Sequence, residues 1–340
     1  MTASAKGRAA NDETSAPSFG LFLNMGANLG SSQTDVFQFT LDQAKQAEAL
    51  GFGELWVTEH HFIEFGLNPS ALTAAAFLLG QTSRVRVGTA VVLSPLQNGV
   101  QIAEQAALLD QMSGGRFDLG IGRGGYVKDF EVLGIDTGVW DSEPVASAQT
   151  ILDVWSGAHD ALPHPLSKPR PPLFMGTSSK DSISFAADHG IPLQHYFGTP
   201  ASARTAVEKA YRSALTADAP QPDHMHALIV IVTNAPEEAR AKLRTGLTDS
   251  FIAGNHPAVP QATKRHVDEI GIPIDLAILA KQVSEFAIIG KPDQVVDELQ
   301  TFMDTTGARR LSFFMEAVAD QQMTHRSIEL FASDVMPHLQ

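Results

Sequence analysis

The sequence predicts an α/β protein whose chain closes into a single (β/α)₈ TIM barrel. Two observations carry that expectation: eight short apolar or β-branched runs, and helical patterns lying between them. The runs span 19–25, 54–58, 85–93, 117–121, 172–176, 191–195, 226–233 and 310–315. So many strands alternating with helices suit a closed parallel barrel better than a doubly wound sheet, which usually needs about five or six.

The first helical pattern, 35–50, places Phe39, Ala44, Ala47 and Leu50 on one face and stops at Gly51, as helices often do. Further patterns follow at 69–79, 100–112, 142–155, 182–189, 201–215, 237–251, 294–304 and 325–335. Segments 122–141 and 255–290 are too long for ordinary connections. The first follows the fourth strand, where a loop would border the mouth of a barrel. The second lies between strands seven and eight, carries Pro257, Pro260 and Pro273, and reads as an insertion, a mobile lid that orders over bound ligand. Residues 1–17 are small, polar and charged and read as a disordered tail, which leaves 18–340 as one barrel domain.

Composition narrows the function. With 44% hydrophobic and 18% charged residues the chain can bury a large core, and no apolar run reaches the roughly 18 residues of a membrane span. The tail has no apolar core of a secretory signal, so a cytoplasmic location is expected. The absence of cysteine removes thiolate catalysis and Cys-ligated metals. A net charge of −14 without a basic run argues against a nucleic-acid partner.

Three clusters could carry chemistry. Glu59, His60 and His61 end the second run, at the expected mouth. Adjacent strand residues face opposite sides, so the two imidazoles would not share a metal. No His-x-His spacing or second ligand cluster is expected to complete such a site, although His195 ends the sixth run, so no metal centre is assigned. Structural hydrogen bonding and proton transfer stay open for these histidines; an imidazole near its ordinary pKa suits the latter. The second cluster is Gly120-Ile121-Gly122-Arg123-Gly124-Gly125. It is misplaced for a dinucleotide fingerprint, which leaves either a flexible turn or an arginine forking onto a phosphate or carboxylate. The third, Thr177-Ser178-Ser179 before a helix, offers hydroxyls and backbone N–H groups to an anion, beyond the one residue that capping needs.

The stretch Glu59-His60-His61-Phe62-Ile63-Glu64-Phe65-Gly66 resembles the bacterial luciferase-like flavin-dependent monooxygenase family, nearest its α-subunit type. The likeness continues through 74–80, Val87-Gly88-Thr89-Ala90, 108–113, 115–117, Lys128-Asp129-Phe130 and 333–337. It implies a luciferase-like barrel that receives FMN as FMNH2 from a separate flavin reductase. It also implies a flavin C4a-hydroperoxide formed with O2, which oxidises a small organic substrate, an aldehyde or a secondary-metabolite intermediate. By position, His60 resembles the family's catalytic base, with Glu59 and His61 in support, and Arg123 the arginine on the FMN phosphate. Ser178 falls in the phosphate loop between Thr177 and Ser179, and a non-prolyl cis peptide falls at Ala90 and Val91. Departures accompany the likeness. Gly122 stands where the α subunit has a reactive cysteine, Thr177 replaces an acidic residue, and 194–197 differs from the aromatic segment of the luciferase pocket.

Two other readings share the barrel: a deazaflavin-dependent oxidoreductase that moves a hydride, and a noncatalytic flavin-binding partner protein. The family also implies a homodimer through the helices after strands two and three. Ala71, Ala74, Ala75, Ala103, Ala106 and Ala107 are the small residues expected to permit that contact.

Overall fold

The computed structural model describes residues 16–140, 142–216, 222–248 and 276–339. Its strands are β1 (Ser18–Leu23), β2 (Glu54–Val57), β3 (Arg86–Thr89), β4 (Val92–Leu93), β5 (Phe117–Gly122), β6 (Leu173–Gly176), β7 (Gln194–His195), β8 (Met225–Leu228), β9 (Val230–Val232), β10 (Ile288–Gly290) and β11 (Arg310–Phe313). Parallel pairing runs from β1 to β2, β3, β5 and β6, crosses to β7 by one bridge between Met175 and Leu193, and returns through β8 and β11 to β1. The expected barrel is therefore present, and the step from β6 to β7 is its thinnest seam.

The helices are α1 (Gln33–Ala49), α2 (Ala71–Gln81), α3 (Gly99–Ser113), α4 (Val127–Leu133), α5 (Glu143–Ser156), α6 (Lys180–Asp188), α7 (Ala201–Ala214), α8 (Pro236–Thr248), α9 (Leu276–Glu285), α10 (Pro292–Thr306) and α11 (Gln321–Leu330). Side chains alternate along each strand, and β2 shows the result. Leu55 and Val57 are buried toward the helices, while Glu54 and Trp56 fill the lumen. Trp56 donates to Glu54 Oε2 at 3.0 Å and meets the Phe174 ring edge-on across the barrel at 5.1 Å. Gly88 makes room for it, since a Cβ there would lie 2.3 Å from the indole. Below, Arg310 approaches Glu54 at 3.2 Å and Arg86 forks onto Asp118, so the buried charges of the barrel floor are paired.

Several expectations need correction. The run 85–93 divides into β3 and β4, and 226–233 divides so that β9 leaves the barrel to pair with β10. Segment 122–141 is not a long loop. It contains α4, whose Phe130 packs at 5.0 Å on Trp140, and the Trp140 indole donates to Gly124 O. At the end of segment 255–290, α9 and β10 are regular elements, with Val283 and Ile289 buried. The rest of that expected lid, 255–275, lies outside the described residues, as do positions 1–15 of the expected tail.

The alanines invoked for dimer contact face the other way. Ala71, Ala75, Ala103, Ala106 and Ala107 are buried in the chain's own core, and Ala74 is half-buried. They let α2 and α3 approach the strands closely. Facing outward instead are Phe77, Gln101, Gln105, Leu108 and Met112, with Phe77 56% and Met112 77% exposed. Among the described residues no helix is long and apolar enough to cross a membrane.

Candidate active site

The lumen-facing series of β2, Glu54 and Trp56, continues beyond the strand into Thr58 and His60. Thr58 stays buried, and its hydroxyl meets the Asn24 side chain at 3.3 Å. The His60 backbone N–H donates to Asn68 O at 2.8 Å, which folds the chain back at the mouth. Its ring lies 5.5 Å from Phe65 and 6.2 Å from Tyr126, and Gly66 fits closely beneath, where a Cβ would come within 2.5 Å of the imidazole. Burial in this apolar collar, helped by the neighbouring His61, pushes the His60 pKa down to about 4. The ring is therefore neutral at pH 7, which corrects the expectation of an imidazole near its ordinary pKa.

Glu59 faces away from that ring. One carboxylate oxygen accepts the Ala71 N–H at 2.8 Å, at the start of α2, where a negative charge also favours the helix dipole. The other accepts Leu93 N–H at 3.1 Å and the Gln97 amide at 3.0 Å. Glu59 thus ties the β2 loop to β4 and the turn after it, and none of these bonds goes to His60.

His61 Nε2 stands 3.8 Å from Glu59 Oε1, beyond hydrogen-bond distance, yet the nearby carboxylate raises its pKa against the opposing cost of burial. Asp129, on α4, completes this acidic corner. Burial pushes its carboxyl up to about 6; the His61 charge opposes that shift and the Glu59 charge adds to it. An unfolded Asp releases its proton near 3.9, so keeping Asp129 ionised at pH 8 costs the folded state about 2–3 kcal/mol. The raised folded value means that stability is fullest below about 4 and is lost as pH rises through about 6. Asp129→Asn should remove that loss: its advantage over wild type in urea unfolding grows from pH 4 to 6 and then levels off. An advantage independent of pH would show that Asp129 does not titrate this way.

Next to this corner the Ala90–Val91 peptide is cis, at the position the resemblance implied. The Val91 side chain rests against two strand-end glycines. A Cβ on Gly122 would lie 2.8 Å from it and one on Gly176 3.0 Å. Those glycines are register partners in β5 and β6, so Arg123 and Thr177 open neighbouring loops. Arg123 is exposed, with its guanidinium 5.9 Å from the Trp140 ring centroid. In the other loop, Ser179 caps α6 by accepting from Ser182 N, while its own N–H donates to Thr177 Oγ1 at 3.1 Å. Capping uses Ser179 and the turn uses Thr177. Ser178 remains exposed between them, beside a helix N-terminus, and the two loops together present one cationic side chain, hydroxyls and backbone N–H groups.

The family description "Luciferase-like monooxygenase" matches residues 18–310. The chain belongs to the luciferase-like monooxygenases. It is 29% identical to an alkanal monooxygenase alpha chain of Photorhabdus luminescens, over 94% of this chain and 96% of that one. It is 24% identical to the oxygenase component of a flavin-dependent trigonelline monooxygenase of Acinetobacter baylyi, over 94% of each. Among solved structures, the fold matches the oxygenating constituent of 3,6-diketocamphane monooxygenase of Pseudomonas putida in complex with FMN. The TM-score is 0.72 at 18% identity, over 96% and 99% of the two chains. An F420-dependent secondary alcohol dehydrogenase shares it too, at 0.71 and 16%, over 96% and 100%. As a luciferase-like monooxygenase, the chain is a flavin-dependent oxidoreductase.

Three contributors were not singled out from sequence: Tyr126 against His60, Asp129 near His61 and Gln97 on Glu59. Asp129 belongs to the helix misread as loop, and Tyr126 immediately precedes it. Gln97 carries no signal, because its role exists only once two loops meet.

The expectation that no His-x-His spacing occurs is wrong, since His224-Met225-His226 has it. His224, just before β8, and His226 within it both face Glu208 of α7. Burial pushes His224 down to about 4 and His226 to about 3, while the carboxylate opposes both shifts.

Proposed function

We propose that this luciferase-like monooxygenase is the oxygenase of a two-component pair, receiving FMNH2 from a separate flavin reductase and using O2 to oxidise a small organic substrate. The observation that carries this reading is the pair of neighbouring loops from Gly122 and Gly176, whose combined donors suit a single phosphate. Arg123 and the 177–179 turn would hold that phosphate, and Ala90 and Val91 would offer an apolar surface to the flavin ring. Bound reduced flavin supplies the electrons that activate O2. His60, neutral at pH 7, can donate at one ring nitrogen and accept at the other beside the reacting atoms, while Tyr126 and Phe65 keep water from the ring. Glu59 positions the loops around it, and His61 with Asp129 holds charge at the rim. The relative from Acinetobacter, named as an oxygenase component, supports a reductase partner. The outward face with exposed Phe77, Leu108 and Met112 supports a homodimer in place of the alanine contact, and a monomer mass in light scattering would remove it.

Anaerobic titration with FMNH2 and with reduced F420 tests the cofactor, followed by ¹⁸O₂ with a panel of alkanals. FMNH2 should bind more tightly, and product should carry the label. Preference for F420 with no O2 uptake would replace oxygenation by hydride transfer. Arg123→Ala should weaken FMNH2 binding by roughly 10- to 100-fold, the value of a charge-assisted phosphate contact. Unchanged affinity would remove Arg123 from the site.

A further inference from the structure

We propose that His195, His226 and Glu208 form a site for one divalent transition metal of zinc's size, between the barrel wall and α7. His195 and His226 are register partners in β7 and β8, so their side chains leave the same face of the sheet. The neighbouring Gln194 donates to Thr89 O at 3.0 Å, which assigns the opposite face to the lumen and this one to the helices. From α7, Glu208 Oε1 reaches His195 Nε2 at 3.3 Å and His226 Nε2 at 3.2 Å, and the three ligand atoms lie within 4.8 Å of one another. Tetrahedral bonds to zinc of about 2.0–2.1 Å put ligand atoms about 3.3–3.4 Å apart, so the separations to Glu208 are those of a coordination shell.

Hydrogen bonding alone explains the cluster less well. His195 is 5% exposed, and its Nε2 is aimed at Glu208 without making an aligned hydrogen bond. The Nδ1 of the fully enclosed His226 also lacks a partner. His224 has the place of a supporting group. Its Nδ1 accepts Leu193 N–H at 2.8 Å, which puts the neutral ring's proton on Nε2, facing Glu208 Oε2 at 3.9 Å. Arg204, one turn before Glu208, opposes a cation electrostatically, but its Nε and Nη2 donate to the carbonyls of Tyr196, Thr199 and Ala227.

A metal here would join β7, β8 and α7. The two-residue β7 is the strand held to β6 by a single bridge, so the ion would act as a staple on the weakest seam of the wall.

Because the ligands are enclosed, the ion is expected to enter as the chain folds. The test is to unfold the full chain in chelator, refold it with or without Co²⁺, desalt, and measure bound metal, visible absorption and thermal midpoint. Wild type should retain about one cobalt per chain, with a visible ligand-field spectrum from nitrogen and oxygen donors and a raised midpoint. His195→Asn with His226→Asn should abolish the spectrum, and Glu208→Gln, which keeps the shape of the side chain, should lower retention at least about 10-fold. If the double variant fails to refold, the Glu208→Gln comparison decides. Cobalt retention that is absent in wild type, or unchanged in Glu208→Gln, overturns the proposal.

Discussion

His60→Ala is expected to fold, to bind FMNH2, and to lose about 10²–10⁴ of productive turnover, releasing H2O2 in place of oxidised product. Folding should survive because the ring contributes edge contacts to Phe65 and Tyr126, while the structural hydrogen bond of this residue is made by its backbone. Turnover should not survive if the imidazole exchanges a proton with the reacting atoms. The pH profile adds a second check. A ring with a pKa of about 4 is fully neutral above pH 6, so wild-type activity should show no His60 inflection near 6.5 and should fall only as pH drops toward 4. His61→Ala, at the rim, should be milder. Wild-type coupling of O2 uptake to product in His60→Ala would reduce this histidine to a packing residue.

Glu59→Ala should have the opposite signature: a loss of about 3–5 kcal/mol in stability, with activity lost as a consequence. The residue is 2% exposed and accepts from Ala71, Leu93 and Gln97, so truncation orphans two buried backbone donors, the half-buried Gln97 amide and a helix N-terminus at once. Glu59→Gln should recover part of the stability, because the amide oxygen still accepts on one side while its NH2 meets a donor on the other. Urea unfolding of the variants decides the matter. Unchanged stability with lost turnover would move Glu59 from loop clamp to chemistry.

The barrel was legible because short apolar or β-branched runs and helical patterns repeat many times, and an error in one element leaves the count intact. The failures fell where local pattern and tertiary pairing diverge. The run 226–233 is apolar without a break from 227 to 232, so nothing in it shows that β8 stays in the wall while β9 turns out to β10. Helix α4 is short and follows four glycines in six residues, a composition that reads as loop, yet Phe130 and Trp140 give it an anchor. At the site, His60 and the glycine-rich turn were visible as residue types at strand ends. The direction of Glu59 was not, because its partners come from 71, 93 and 97. His224 and His226 were plain in the sequence, but their joint meaning depends on α7 bringing Glu208 to them.

The contact of Val91 with Gly122 makes those two positions a single volume shared by distant parts of the chain. Their substitutions should be coupled through evolutionary time. A lineage that gains a side chain at 122, such as the cysteine the resemblance implies for that position in the α-subunit type, would need a smaller residue at 91 or a displaced strand end. Grafting that thiol into this chain is therefore a two-site change, Gly122→Cys with Val91→Ala. The single replacement would report crowding in the wall before it reported anything about the thiol.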